Sequence, residues 1–198
     1  MPAALQRLSE LRRADSLPIG VPAIERLLPD GLRAGSLVEW LAERGSGAGT
    51  LAFQLAAPHP CIVIDRERAF HPPAVGLSPV VVHPPNEREM LWALEQSLRY
   101  PVAVIARIDR LNSSEFHRLK LAARHGGGLG LLLRPPDGPA WADVRFRVTP
   151  LARRDRQRQL RIEVYPSRRT ALLELNDETG AVRLVPRPIV ATAERARA

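Results

Sequence analysis

Residues 40 to 55 read WLAERGSGAGTLAFQL, a glycine-rich turn between an apolar run and a helix-like run. That is the setting of a phosphate-binding loop, G-x-x-x-x-G-K-[ST]. In such a loop the glycines let backbone N–H groups close around phosphates. The lysine reaches the β- and γ-phosphates and the hydroxyl holds Mg²⁺. With the last glycine placed on Gly47, the first glycine position falls on Ala42, the lysine position on Ala48 and the hydroxyl position on Gly49. Shifting by one residue recruits Thr50 as the hydroxyl but leaves Gly49 at the lysine position. Lys120 is the single lysine of the chain, so no neighbour supplies the cation. Phosphate charge would then lack a fixed partner, and helix N-terminal amides alone bind an anion weakly. The expectation is a loop with the shape of a phosphate cradle but without its chemistry, hence no hydrolysis and no cofactor.

A second group of side chains with chemical potential is Asp65 and Glu67, just after the apolar run CIVI. They could act as an acid/base pair, or stand as inherited scaffold paired with Arg66 or Arg68. Asp109 lies three residues past its apolar run and is not expected to be a metal ligand. Ser46 sits in GSG rather than G-x-S-x-G, so nothing marks it as a nucleophile. Cys61 is alone and the five histidines lack short ligand spacing, which leaves no basis for a disulfide framework or a zinc site.

The strongest local charge feature is Arg153, Arg154, Arg156, Arg158 and Arg161, opposed only by Asp155. Arg168 and Arg169 extend the patch if a hairpin brings them alongside. One reading is a solvated loop between edge strands, with arginines discouraging edge pairing. The other is contact with DNA phosphates or an acidic partner. No aromatic residues interleave the arginines, so DNA contact would be of the backbone type. Trp40 and Trp92 lie within apolar patterns and are expected in the core. Trp141, after PPDGPA, is a candidate interface anchor.

These residues need a scaffold, and the chain outlines one. Leu5, Leu8 and Leu11 mark a short amphipathic helix within residues 1–15. A short helix follows, with Pro22 near its start and Asp30-Gly31 after its end. Ser36 to Leu41, Cys61 to Ile64, Val80 to Val82, Val102 to Ala106 and Leu129 to Leu133 are continuous apolar runs, suited to a parallel sheet covered on both faces. Helices lie between them. Asn86 with Glu89 and Asn112 with Glu115 open two of these helices, Leu111 and Phe116 form a hydrophobic staple, and Gly126 to Gly128 stop the second. From Ala142 the pattern alternates apolar residues with arginine, and NDETG signals a hairpin, so antiparallel strands are expected over 142–186. Residues 187–198 read as a flexible tail. The expected class is α/β, a mostly parallel sheet flanked by helices and extended by C-terminal antiparallel strands.

The 198 residues suffice for one well-cored domain, and 45% apolar with 25% charged residues is ordinary for a globular chain. The net charge of +8 points to an anionic partner such as nucleic acid, although an almost all-arginine basic set also reflects a GC-rich genome. No signal-peptide h-region is visible, and no apolar run approaches the roughly 20 residues of a membrane span. A cytoplasmic protein without membrane contact is therefore expected.

The order LPIGVPAIERLLPDGLRAGSLVEWL, glycine loop, CIVIDRERAFHP, VAVIA resembles the RecA recombinase core over residues 17 to 134. That resemblance implies that Glu67 stands where the family carries its water-activating glutamate. It also implies that Ala106, followed by Arg107, stands where the family has a metal-binding aspartate. FHPPA, ALEQSLR, GLGLLLRP, WADVRFRV and LNDETGAVRLVP resemble ImuA, the RecA-like accessory family of bacterial mutagenesis cassettes. The likeness implies a non-catalytic adaptor in translesion synthesis and the SOS response to DNA damage. Its implied partners are ImuB, an error-prone DNA polymerase and RecA itself, with DNA a further candidate through the arginines. Two alternatives stand beside it, a division inhibitor similar to SulA and a single-stranded DNA-binding protein.

Overall fold

The computed structural model describes residues 16–28, 30–70 and 78–185. The expected helix within 1–15 and the tail 187–198 lie outside these residues. Two short strands, β1 (Ser16–Leu17) and β2 (Leu32–Arg33), pair antiparallel around helix α1 (Pro22–Glu25). The sequence pattern did not announce this ribbon, because two-residue strands carry no periodicity.

The remaining strands form one nine-stranded sheet. They are β3 (Leu37–Leu41), β4 (Cys61–Ile64), β5 (Val80–Val82), β6 (Ala103–Arg107), β7 (Leu129–Arg134), β8 (Val144–Arg154), β9 (Gln157–Tyr165), β10 (Arg169–Asn176) and β11 (Val182–Val185). Their spatial order is β11-β10-β9-β8-β3-β7-β6-β4-β5. Pairing is parallel from β5 through to β8 and antiparallel from there to β11. The antiparallel part thus begins one strand later than the alternation from Ala142 implies. Val144 to Arg147 of β8 run parallel to Val38 to Leu41 of β3. The rest of β8 passes beyond β3 and meets β9 alone. Alternation reports one-sided burial and not strand direction, so it could not place this boundary.

Helix α2 (Ala48–Ala56) links β3 to β4, α3 (Glu87–Ser97) links β5 to β6, and α4 (Ser113–Gly126) links β6 to β7. Helices α1 and α2 pack on one face of the sheet, where Ile24, Leu51 and Leu55 meet Trp40, Phe146, Leu160 and Leu173. Trp40 and Phe146 stack with ring centroids 4.5 Å apart. Helices α3 and α4 cover the parallel strands from the other face through Met90, Leu94, Leu98, Phe116 and Leu119. Asn86 caps α3 by accepting the Glu89 N–H at 2.9 Å, and the reciprocal capping box is complete at Asn112 and Glu115 of α4. Gly126, near the end of α4, lies so close to Arg99 that a Cβ would fall 2.1 Å from its carbonyl carbon.

Trp40 is fully buried, as expected, but Trp92 is 58% exposed. Met90, Leu94 and Leu98 recur every fourth residue and form the buried stripe of α3. Trp92 lies roughly 200° around the helix from Met90, on its outer surface.

Candidate functional site

The carboxyl ends of the parallel strands carry the loop and its neighbours. Strand β3 is pinned between β7 and β8, and its last hydrogen bond runs from the Ala42 N–H to the Arg134 carbonyl at 3.0 Å. The chain then turns through Glu43 to Gly47, which adopts a left-handed φ of 95° and opens α2. Buried Ser46 accepts the Ala48 N–H at 3.3 Å through its hydroxyl. Ala48 is buried, whereas Gly49 and Thr50 are half-buried on the first turn. Gly49 lines a cleft whose floor includes Ala106. Lys120 is remote from the loop in sequence and pairs with Asp143 at 2.7 Å.

An arginine that the sequence pattern did not single out dominates this end of the sheet. Arg44, inside the loop, donates to both carboxylate oxygens of Glu67, with Nη2 to Oε1 at 2.8 Å, and to Asp109 at 3.2 Å. Glu67 follows β4 and Asp109 follows β6, so one guanidinium reaches past β7 and ties the loop to the ends of the next two strands. The hydrogen bonds from Arg44 hold the Glu67 carboxyl below the usual carboxylate range. Burial is the next-largest influence and opposes that shift, while the charges of Arg44, of Arg66 at 3.7 Å and of Arg107 add to it. The same contact raises the pKa of Arg44. A water-activating base must be free to take a proton near neutral pH, whereas Glu67 is held as an ionised ion-pair partner. Arg68, the other partner considered for it, has a φ of 52° and no ion pair among the described residues. The Asp65 side chain accepts the N–H groups of Ala69 and Phe70 at 3.1 and 2.9 Å, closing its own turn. Asp65 and Glu67 therefore have separate partners and do not form a pair.

The C-terminal strands support the loop from the other side. A Cβ on Gly47 would sit 3.0 Å from Leu175 and 3.2 Å from Leu160, and Arg158 donates to the Gly45 carbonyl. Arg158 also pairs with Asp177 at 2.9 Å. Arg153 pairs with Asp177 at 3.3 Å and Arg156 with Glu178. The NDETG turn, read from sequence only as a hairpin, thus brings two carboxylates to three cluster arginines. Arg154 and Arg161 have no ion pair among the described residues and are exposed. Arg158 and Arg161, three positions apart on β9, face opposite sides of the sheet.

Arg168 and Arg169 do not join the patch. The register pairs Asn176 with Gln157 at one end of the β9–β10 hairpin and Arg169 with Val164 at the other. At about 3.3 Å per residue the two ends are roughly 23 Å apart. Arg169 there donates to the Arg26 carbonyl at 3.4 Å. Trp141 is 40% exposed, but its indole N–H donates to the Leu111 carbonyl at 3.3 Å and its backbone N–H to Glu39 at 2.7 Å.

Glu39 marks a second feature hidden from sequence reading. It lies fully buried in the middle of β3, 3.1 Å from the buried Arg134 of β7. Its other oxygen accepts the N–H groups of Trp141 and Ala142. The signal was present in the sequence, an acid inside SLVEWL and an arginine closing LGLLLR. Elsewhere, burial pushes the Cys61 thiol up to about 11, which leaves it protonated at neutral pH. Among the described residues no cluster of His, Cys, Asp or Glu is arranged to hold a metal ion, and no helix is long and apolar enough to cross a membrane.

No protein-family model and no curated protein matches the chain. Among solved structures it is similar to the crystal structure of the RadB recombinase, with a TM-score of 0.61 and 16% identity. The match covers 83% of this chain and 97% of that one. At that identity the likeness speaks for the fold, which is α/β and RecA-like, with a mostly parallel sheet and antiparallel C-terminal strands.

Proposed function

We propose that the chain is a non-catalytic RecA-like adaptor in bacterial DNA damage tolerance. One observation carries the non-catalytic part, the hold of Arg44 on Glu67. A side chain of the loop itself binds the carboxylate that would otherwise face water, and no lysine stands at the loop's cation position. The resemblance of FHPPA, ALEQSLR, GLGLLLRP and LNDETGAVRLVP to ImuA supports the rest of the reading. By that likeness the partners are ImuB, an error-prone polymerase and RecA. The test is affinity capture of the tagged chain from DNA-damaged cells with nuclease treatment, alongside calorimetric titration with Mg·ATP. Polymerase-cassette proteins or RecA are expected in the capture, and no heat of ATP binding in the calorimeter. Recovery of the tubulin-like division protein would replace the reading with the SulA-like one, and ATP turnover would end the non-catalytic part.

Direct single-stranded DNA binding is weaker as a reading, because Asp177 and Glu178 already engage three of the cluster arginines. If DNA were bound through phosphates, affinity would fall steeply with salt, whereas an apolar adaptor contact would change little.

A further inference from the structure

The cleft at the carboxyl ends of β4 and β6 holds more than the Arg44 clamp. Its volume is about 390 Å³, inside the roughly 300–1,000 Å³ range of small-ligand sites. Its apolar lining comes from both faces of the sheet, Phe53, Val63, Ile105 and Leu133 from one and Met90 and Ala106 from the other. Phe53 and Phe70 stack beside it with centroids 4.9 Å apart, which fixes a flat hydrophobic surface. Arg107, the last residue of β6, stands beside the first group, since it shares a sheet face with Ile105 and is the register partner of Leu133.

Arg107 is half-buried, yet its side chain makes no hydrogen bond and no ion pair among the described residues. Three of the carboxylates around it are engaged elsewhere, while Glu87 on the cleft lining and Glu43 have no ion pair among the described residues. Arg44 holds Glu67 and Asp109, and Asp65 closes its own turn. Glu67, Asp109 and Glu43 still attract Arg107 at a distance. Burial first, and the charge of Arg44 next, weigh against its ionised form and lower its pKa. A partly desolvated guanidinium thus keeps a full set of N–H donors unused next to an apolar wall. Arg110, on the rim, has no ion pair among the described residues either. The planar fork of donors that Arg107 leaves open matches two oxygens of a carboxylate or phosphate.

We propose that this cleft binds a small organic anion, an apolar group bearing one carboxylate or phosphate. The anion sits on Arg107 and the apolar body lies against Phe53, Phe70 and Leu133. The site does not depend on the adaptor reading. Two sources supply this chemistry, a peptide chain ending in an apolar residue and a free organic phosphate.

N-acetyl-phenylalanine represents the first source and phenyl phosphate the second, with N-acetyl-phenylalaninamide as the uncharged control. Each is titrated into the isotope-labelled full chain while the resonances of Phe53, Phe70 and Arg107 are followed by NMR. At least one anion is expected to give saturable shifts at all three residues. Binding should be at least about tenfold weaker for the amide and for Arg107→Gln, since either change removes a charge-assisted pair. The better anion identifies the source. Phe70→Ala, which removes part of the wall at a half-exposed position, should weaken the same anion and serves as the readout if Arg107→Gln does not fold. No saturable shift with either anion would overturn the proposal. Equal binding of the amide, or unchanged binding by both variants, would overturn it as well.

Discussion

Two ion pairs near the loop use the same chemistry to different ends. Glu39 and Arg134 are buried between neighbouring strands, and both oxygens of Glu39 are occupied, one by Arg134 and the other by two backbone N–H groups. Arg44 and Glu67 meet at the rim of a cleft, with side chains 53% and 33% exposed. The first pair cannot lose a member without leaving an unpaired charge in the core. The second adds little to stability because solvent screens it, although it still fixes which group Glu67 faces. Burial, and not residue type, separates the charge that holds the sheet together from the charge that only arranges a surface.

The largest effect is expected in the interior. Arg134→Met alone should cost about 3–5 kcal/mol, because Glu39 would stay buried and uncompensated. Adding Glu39→Leu should recover much of that loss, although Trp141 and Ala142 would then need new acceptors for their N–H groups. Urea denaturation of the single and double variants measures both terms. A single-variant cost under about 1 kcal/mol would erase the contrast between the two pairs.

Gly47→Ala comes next, at about 1–3 kcal/mol, from a left-handed backbone and the contacts with Leu175 and Leu160. Thermal unfolding reads it. A neutral result would mean that the C-terminal strands do not brace the loop.

Arg44→Ala should change stability at neutral pH by no more than about 1 kcal/mol, since its pair is largely exposed. Its sharper signature is in titration. The folded-state pKa of Glu67 lies below its ordinary value of 4.5, so the pair's contribution is present above that pH and fades as pH falls through the folded value. In Arg44→Ala the Glu67 carboxyl should titrate nearer its ordinary value, visible by carbon-detected NMR, and acid should destabilise the variant less steeply. An unmoved titration would mean that Arg44 does not hold Glu67 in solution.

The smallest effect is expected at Arg154, exposed and without an ion pair among the described residues, where Arg154→Ala should stay within about 0.5 kcal/mol. Arg158→Ala should cost more, because that side chain spans Gly45 and Asp177. Equal costs in the same unfolding assay would blur the line between the bracing arginine and the free one.

Much of the fold was legible because burial writes itself into short stretches. Continuous apolar runs marked the strands β3, β4, β5, β6 and β7, and Asn112 with Glu115 marked the start of α4, since a cap is a contact between residues three apart. The empty lysine position of the loop was equally plain, because that motif lies within eight consecutive residues. Legibility ended where partners lie far apart in the chain. Arg44 meets Glu67 and Asp109 across 23 and 65 positions, and Arg134 meets Glu39 across 95.

The arginine cluster illustrates the same limit. Sequence placed Arg153 to Arg161 together and left Arg168 and Arg169 as an extension of the patch. The hairpin register then brought Asp177 and Glu178 to one end and carried Arg168 and Arg169 to the other. Composition and local pattern, by themselves, determined that this is an α/β chain with a glycine loop that holds no lysine. The tertiary structure alone decided which charges are spent inside the protein and which, like Arg107, remain available. Coulombic pairing depends on distance through space and on local burial, and neither is a property of neighbouring residues in a sequence.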